Sequence, residues 1–199
     1  MATTKQKKPT ICVYCGAASS VDDLYKNAAY ECGKMLALNG IDVVYGGGRV
    51  GLMGIVADAA LEHGGDVIGI IPGHLQDKEP KHKDLTELHI VESMHDRKAL
   101  MEKRSDGFLI LPGGFGTLDE TFEILTWKMI GLHDKEVAIL NTDGYWNPLL
   151  ALVDNIIATG FAQEKDKGFI TFESMEDVIA HYENAPIFSR NDSNPVKII

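Results

Sequence analysis

Positive charge is what this chain has least of. Its 19 lysines and arginines are outnumbered by 29 aspartates and glutamates, and the formal net charge is −10. A deficit of that size speaks against nucleic acid or an anionic membrane as a partner. An anionic small molecule would have to be met by a local cluster of donors. Long apolar runs are also missing, and no segment approaches the ~20 residues that cross a bilayer. The polar, lysine-bearing start, Met1 to Pro9, is followed by an apolar stretch too short for a signal peptide. A cytoplasmic protein is expected. Cysteine is scarce: Cys12, Cys15 and Cys32 form no disulfide framework. Cys12 and Cys15 have C-x-x-C spacing but lie along a strand, where residues three apart face opposite ways. A redox pair belongs at a helix N-terminus, so buried, reduced thiols are expected. His63, His74, His82, His89, His95 and His133 show no metal-ligand spacing, and no metal is expected. There is no Ser-His-Asp order, no Walker lysine, and no lysine context suited to pyridoxal phosphate. No cofactor is therefore expected.

What is present is alternation of strand and helix over 199 residues, 45% of them hydrophobic and 24% charged. Apolar runs at Thr10–Tyr14, Ile41–Tyr45, Asp66–Ile71, Glu87–Val91, Phe108–Leu111, Val137–Leu140 and Phe169–Phe172 predict strands. Helices are predicted over Val21–Leu38 with Ser20 as its cap, after the Gly46 to Gly54 stretch to about His63, over Met94–Ser105, from Thr117 to about Ile130, over Tyr145–Thr159, and from Ser174 to Glu183. His74 to Asp84 reads as polar loop. This pattern predicts an α/β fold: a Rossmann-like, three-layer domain over residues 9–186 with a mainly parallel sheet flanked by helices. Residues 1–8 are expected to be a flexible N-terminus and 187–199 a loose tail.

Ligands of such sheets bind at the carboxyl ends of strands. The loop Gly16 to Ser20 and two glycine turns follow strands directly, which makes Ser20, Gly47 and Gly48 candidate contacts. The turn Gly46-x-Gly48-x-x-Gly51 matches a dinucleotide pattern only weakly. The acidic residue at the right distance, Asp66, begins its strand where a ribose ligand would end it, so close helix–sheet packing is the preferred reading. The second turn is more telling. Pro112-Gly113-Gly114-Phe115-Gly116-Thr117 ends a buried strand and feeds a helix, so its N–H groups and the helix dipole favour an anion. A phosphate cradle with Glu120 one turn in is expected there. Thr117-x-x-Glu120 can also be read as a capping box. At the start of another helix, Arg97 and Lys98 stand where the dipole disfavours cations, which suggests an anionic partner.

Together these residues resemble the Lonely guy family of cytokinin-activating phosphoribohydrolases, whose relatives often carry the label lysine decarboxylase. The signature PGGxGTxxE is met in full by Pro112 to Glu120. Gly46-Gly47-Gly48 with Gly51-Leu52-Met53-Gly54, Met94-His95-x-Arg97-Lys98, Gly131-Leu132-His133 and Asp143-Gly144-Tyr145 extend the likeness from about Ile11 to Ile179. The resemblance implies hydrolysis of the N-glycosidic bond of an adenosine 5'-monophosphate, plain or N6-substituted, giving free base and ribose 5-phosphate. It implies Arg97 and Glu120 as the catalytic pair. It implies substrate contacts from Glu79, Arg97, Lys98, the Gly113, Gly114, Phe115, Gly116 and Thr117 turn, and Thr126. It also implies a homodimer or higher homo-oligomer, in which the apolar residues of Phe122 to Ile130 serve an interface or the core. Asp119, where plant members usually carry glutamate, and Gly16-Ala17-Ala18, in place of Gly-Ser-Ser, depart from the family pattern. The competing expectation is a nucleotide-binding or carrier protein that uses the same cradle without turnover.

Overall fold

The computed structural model describes residues 8–75, 82 and 84–185. The flexible N-terminus expected of residues 1–7, the contact expected of Glu79 and the loose tail 187–199 lie outside these. Seven strands run β1 (Thr10–Tyr14), β2 (Asp42–Tyr45), β3 (Val67–Pro72), β4 (Glu87–Val91), β5 (Gly107–Ile110), β6 (Glu136–Leu140) and β7 (Ile170–Phe172). They form one sheet in the order β4-β3-β2-β1-β5-β6-β7, and every neighbouring pair is parallel. The chain starts at the centre, winds out to β4, then returns to lay β5 against the other side of β1. In register, Cys12 pairs with Val44 on one side and Phe108 on the other. The expected sheet is therefore present, with strand boundaries within a residue or so of those read from the sequence.

The central strands are apolar along their whole length because both faces are covered. Ile11, Val13 and Cys15 point into a core shared with α1 (Asp23–Leu38), α2 (Gly51–Glu62) and α6 (Met175–Asn184). Cys12 and Tyr14 point into the opposite core, which includes Met101 of α3 (Met94–Arg104) and Ile124 of α4 (Phe115–Met129). Trp146 and the partly buried Leu149, Leu150 and Val153, at and within α5 (Asn147–Ala158), complete that side. Each fully buried large apolar side chain contributes about 1.5–3 kcal/mol, and Ile11, Leu36, Ile70 and Phe108 are fully enclosed. All three cysteines are free and buried, Cys12 and Cys15 on opposite faces as expected, and burial pushes their thiols up from the ordinary range. Helices α1 and α2 approach closely at Gly33, where a Cβ would stand 2.2 Å from the Val56 carbonyl oxygen.

Four helix starts differ from the sequence reading. Helix α2 begins at Gly51, inside the glycine stretch. The cap of α1 is Asp22, whose carboxylate accepts from the Leu24 N–H, and Ser20 lies outside the helix. Val21 is thereby freed to pack against the core. Helix α5 begins at Asn147, after a 3-10 turn over Thr142–Gly144, with Pro148 in its first turn. Helix α4 begins at Phe115 on a Gly114 N-cap with no side-chain cap, so the capping box that was the alternative reading of Thr117 and Glu120 does not form. The flexible Gly113-Gly114 pair lets the helix start two residues earlier and carries Thr117 and Glu120 inside it.

Candidate active site

The chain leaves β1 and β5, neighbours in the sheet, in opposite directions around it, and a cleft of about 480 Å³ opens above their carboxyl ends. Its floor is stitched by backbone: the Gly16 N–H donates to the Pro112 carbonyl at 3.0 Å, and the Leu52 N–H to the Gly16 carbonyl at 2.9 Å. One wall is the start of α4. The Leu118 N–H is the first to find a carbonyl within the helix, that of Gly114 at 3.0 Å. The N–H groups of Phe115, Gly116 and Thr117 have no helical acceptor, as at any helix N-terminus, and Gly116 and Thr117 line the cleft. Gly113 is required here, since a Cβ would stand 2.1 Å from the Thr117 hydroxyl. The Thr117 side chain therefore folds back over the turn and is buried. Free N–H groups at a helix N-terminus are the arrangement that suits an anion.

Deeper in the cleft sit Arg97 and Glu120, each about 8% exposed. An Nη of Arg97 is 3.6 Å from a Glu120 carboxylate oxygen, an ion pair without a tight hydrogen bond. The Arg97 Nε is buried without a hydrogen-bond partner. A buried donor without a partner is uncommon and marks this guanidinium as a functional candidate. Burial pushes the Glu120 carboxyl up to about 7 even though Arg97 beside it pulls the other way. A carboxyl poised near neutrality in a cleft is a candidate acid, base or charge stabiliser. Gly46 makes room for this pair: a Cβ there would stand 1.9 Å from an Arg97 Nη.

The two cations at the start of α3 are not a solvated face. Ser93 caps that helix by accepting from the Asp96 N–H, and Arg97 and Lys98 follow, both buried. Lys98 turns to α4, 3.1 Å from Asp119 and 3.0 Å from Glu123. Burial alone would lower its ammonium, but hydrogen bonds and charge from Glu123 and Asp119 outweigh that and hold it up.

Of the residues expected at the site, the structure brings Arg97, Gly113, Gly114, Gly116, Thr117 and Glu120 to the cleft. Lys98 stands behind Arg97, outside the lining. The Phe115 ring projects into solvent, 93% exposed. Ser20 is exposed at the rim between the lining residues Ala18 and Val21, and Gly47 and Gly48 are buried outside the lining, Gly47 against Ile70 and Ile71. Thr126 bonds the Phe122 carbonyl and borders a separate hollow with Met129 and Ile157. Asp66 precedes β3 and is paired with Lys8 at the far end of the sheet, so it is not a ribose partner for the Gly46 turn. The sequence reading missed Tyr25, Met53, Met94 and Tyr145, which line the cleft, and Gly46, which lies against Arg97. Asp143-Gly144, a turn signal just past the end of a strand, was the available pointer to Tyr145.

A family model described as possible lysine decarboxylase matches residues 53–182. The chain is 40% identical over 187 residues to the cytokinin riboside 5'-monophosphate phosphoribohydrolase LOG1 of Arabidopsis thaliana, covering 90% of this chain and 88% of that protein. It is 46% identical over 157 residues to LOG4 of the same plant, with 79% and 73% covered. It is 45% identical over 160 residues to LOG of Oryza sativa subsp. japonica, with 80% and 66% covered, so it spans just under two thirds of the rice protein's length. Among solved structures, the molybdenum cofactor carrier protein of Chlamydomonas reinhardtii matches with a TM-score of 0.69 at 20% identity, covering 92% of this chain and 100% of that one. The molybdenum cofactor binding protein of Rippkaea orientalis matches with a TM-score of 0.68 at 23% identity, covering 90% and 98%. At those identities the structural likeness is one of fold.

Proposed function

The chain belongs to the Lonely guy family of phosphoribohydrolases, and from that membership and the cleft we propose that it hydrolyses the N-glycosidic bond of an adenosine 5'-monophosphate, with or without an N6 substituent. The products are the free base and ribose 5-phosphate. The observation that carries this reading is the burial of Arg97 against Glu120 a short way inside a helix N-terminus. Phosphate seated on the N–H groups of Gly116 and Thr117 is a handle remote from the reacting bond, and its binding energy positions the ribose over Glu120.

Cleavage of the bond develops positive charge on the ribose ring. The Glu120 carboxylate stabilises that charge or draws a proton from the attacking water. Arg97, with unspent donors, holds the substrate or stabilises the negative charge on the departing base. Val21, Tyr25, Leu52 and Met53 give the cleft apolar lining that suits a base.

A second copy of the chain is part of the proposal. The sequence of α5 is strongly apolar, yet none of its residues is buried, and Leu152 is 49% exposed. Phe122, Met129 and Ile130 of α4 and its end, also exposed, continue that surface, which a homodimer would cover. The reaction is tested by incubating the protein with AMP and with adenosine. Adenine and ribose 5-phosphate released from AMP alone is the expected result. Tight AMP retention without adenine would instead favour a carrier, and cleavage of adenosine would remove the phosphate cradle from the account.

A further inference from the structure

We infer that Tyr145 is a positioning residue of the phosphate turn, its hydroxyl holding the first peptide of the segment that receives the anion. The inference rests on the reading of that turn as a phosphate site. The Tyr145 hydroxyl donates to the Gly113 carbonyl at 2.6 Å, across 32 residues of sequence. A trans peptide is rigid, so fixing the Gly113 carbonyl fixes the Gly114 N–H with it. The two glycines do little to hold themselves in one conformation. The turn is therefore held from outside, by Tyr145 on its carbonyl and by the Thr117 side chain packed over Gly113.

The chain goes to some trouble to deliver this ring. Past the end of β6 it places Asp143 at φ 51 and Gly144 at φ 72. A left-handed backbone at a residue other than glycine costs on the order of 1 kcal/mol and persists only where surroundings enforce it. Here Asn141 enforces it: buried, it accepts from the Trp146 N–H at 2.8 Å and donates to Asn147 and Glu173. The Tyr145 ring is then set edge-on to Trp146, at 4.8 Å between centroids, and to Tyr25 of α1, at 5.4 Å. Both contacts fix the ring without using its hydroxyl, which is left to serve the Gly113 carbonyl. A preordered turn does not have to lose conformational freedom when the anion arrives, and that gain appears as affinity for the phosphate end of a ligand.

The test is Tyr145→Phe, which keeps both ring contacts and removes the hydroxyl alone. The KM for AMP and the Kd for ribose 5-phosphate are each expected to rise about three- to tenfold, the equivalent of one hydrogen bond. The Kd for adenine and kcat should stay within about twofold of the wild-type values. Unchanged KM and Kd would overturn the inference, and so would a lower melting temperature as the only effect. An equal loss of adenine affinity would overturn it too, since Tyr145 would then be a wall for the base. If the variant melts early, the ratio of ribose 5-phosphate to adenine affinity, measured where it is still folded, decides in the same way. Failure of the underlying reading looks different: the wild-type protein would neither cleave AMP nor bind ribose 5-phosphate, and the inference would fall with it.

Discussion

At the scale of single residues, the carboxyl of Glu120 sets the expected behaviour. Its folded-state value, pushed up to about 7, lies above the ordinary 4.5. Between these two the folded protein holds a proton that the unfolded chain releases. Its contribution to stability is therefore full at low pH and is lost as pH rises through 4.5 to about 7. Glu120→Gln should flatten that slope in a series of melting curves. It should fold normally, because the side chain is not a helix cap, and lose about 100- to 1,000-fold in turnover. With the carboxylate as the active form, kcat/KM should rise with pH through about 7; a falling limb in that range would make Glu120 a general acid instead.

Gly46 offers a second test. A methyl group there overlaps the Arg97 guanidinium, so Gly46→Ala should displace Arg97 and lower kcat/KM by about 100-fold, with the fold retained by circular dichroism. Arg97 and Glu120 were legible in the sequence as residue types at motif spacing. Gly46 as the seat of Arg97 was not, because the contact joins positions 51 residues apart and only the folded sheet edge brings them together.

At the scale of elements, strands were read well because a parallel strand covered on both faces is a short apolar run that little else imitates. Helix starts were read less well. Thr117-x-x-Glu120 has the letters of a capping box, but the flexible pair before it let α4 begin at Phe115. The reading of α5 back to Tyr145 could not register Trp146, whose backbone at φ −88 and ψ 1 makes it the cap of a helix that starts at Asn147. Gly33 tests how α1 and α2 are joined. Alanine is the better helix former by about 1 kcal/mol, so local propensity predicts a higher melting temperature for Gly33→Ala. The Val56 carbonyl, 2.2 Å from where that Cβ would lie, predicts the reverse. Forcing the helices apart costs about 1–3 kcal/mol, and a net fall of a few degrees in a thermal melt is expected.

At the scale of the whole molecule, the exposed apolar face of α4 and α5 is where the chain meets its proposed second copy. Met129→Glu with Leu152→Glu should halve the mass measured by light scattering if that face is the interface. Both positions lie away from the lining of the cleft, so ribose 5-phosphate affinity per chain should survive unless the partner helps to build the site. An unchanged mass would assign these residues to some other role.

The centre of the sheet has a further use. Cys12 and Cys32 are entirely enclosed, one in the middle strand and one on the helix that covers it, and burial disfavours the reactive thiolate. A thiol-specific dye mixed with the native protein therefore has nothing to attack at these two positions until the sheet or its covering helix opens. The rate at which they are labelled counts those openings, one molecule at a time, without any probe having to be engineered in. Applied with and without a bound nucleotide, the same count would measure how far a ligand at the edge of the sheet steadies its middle.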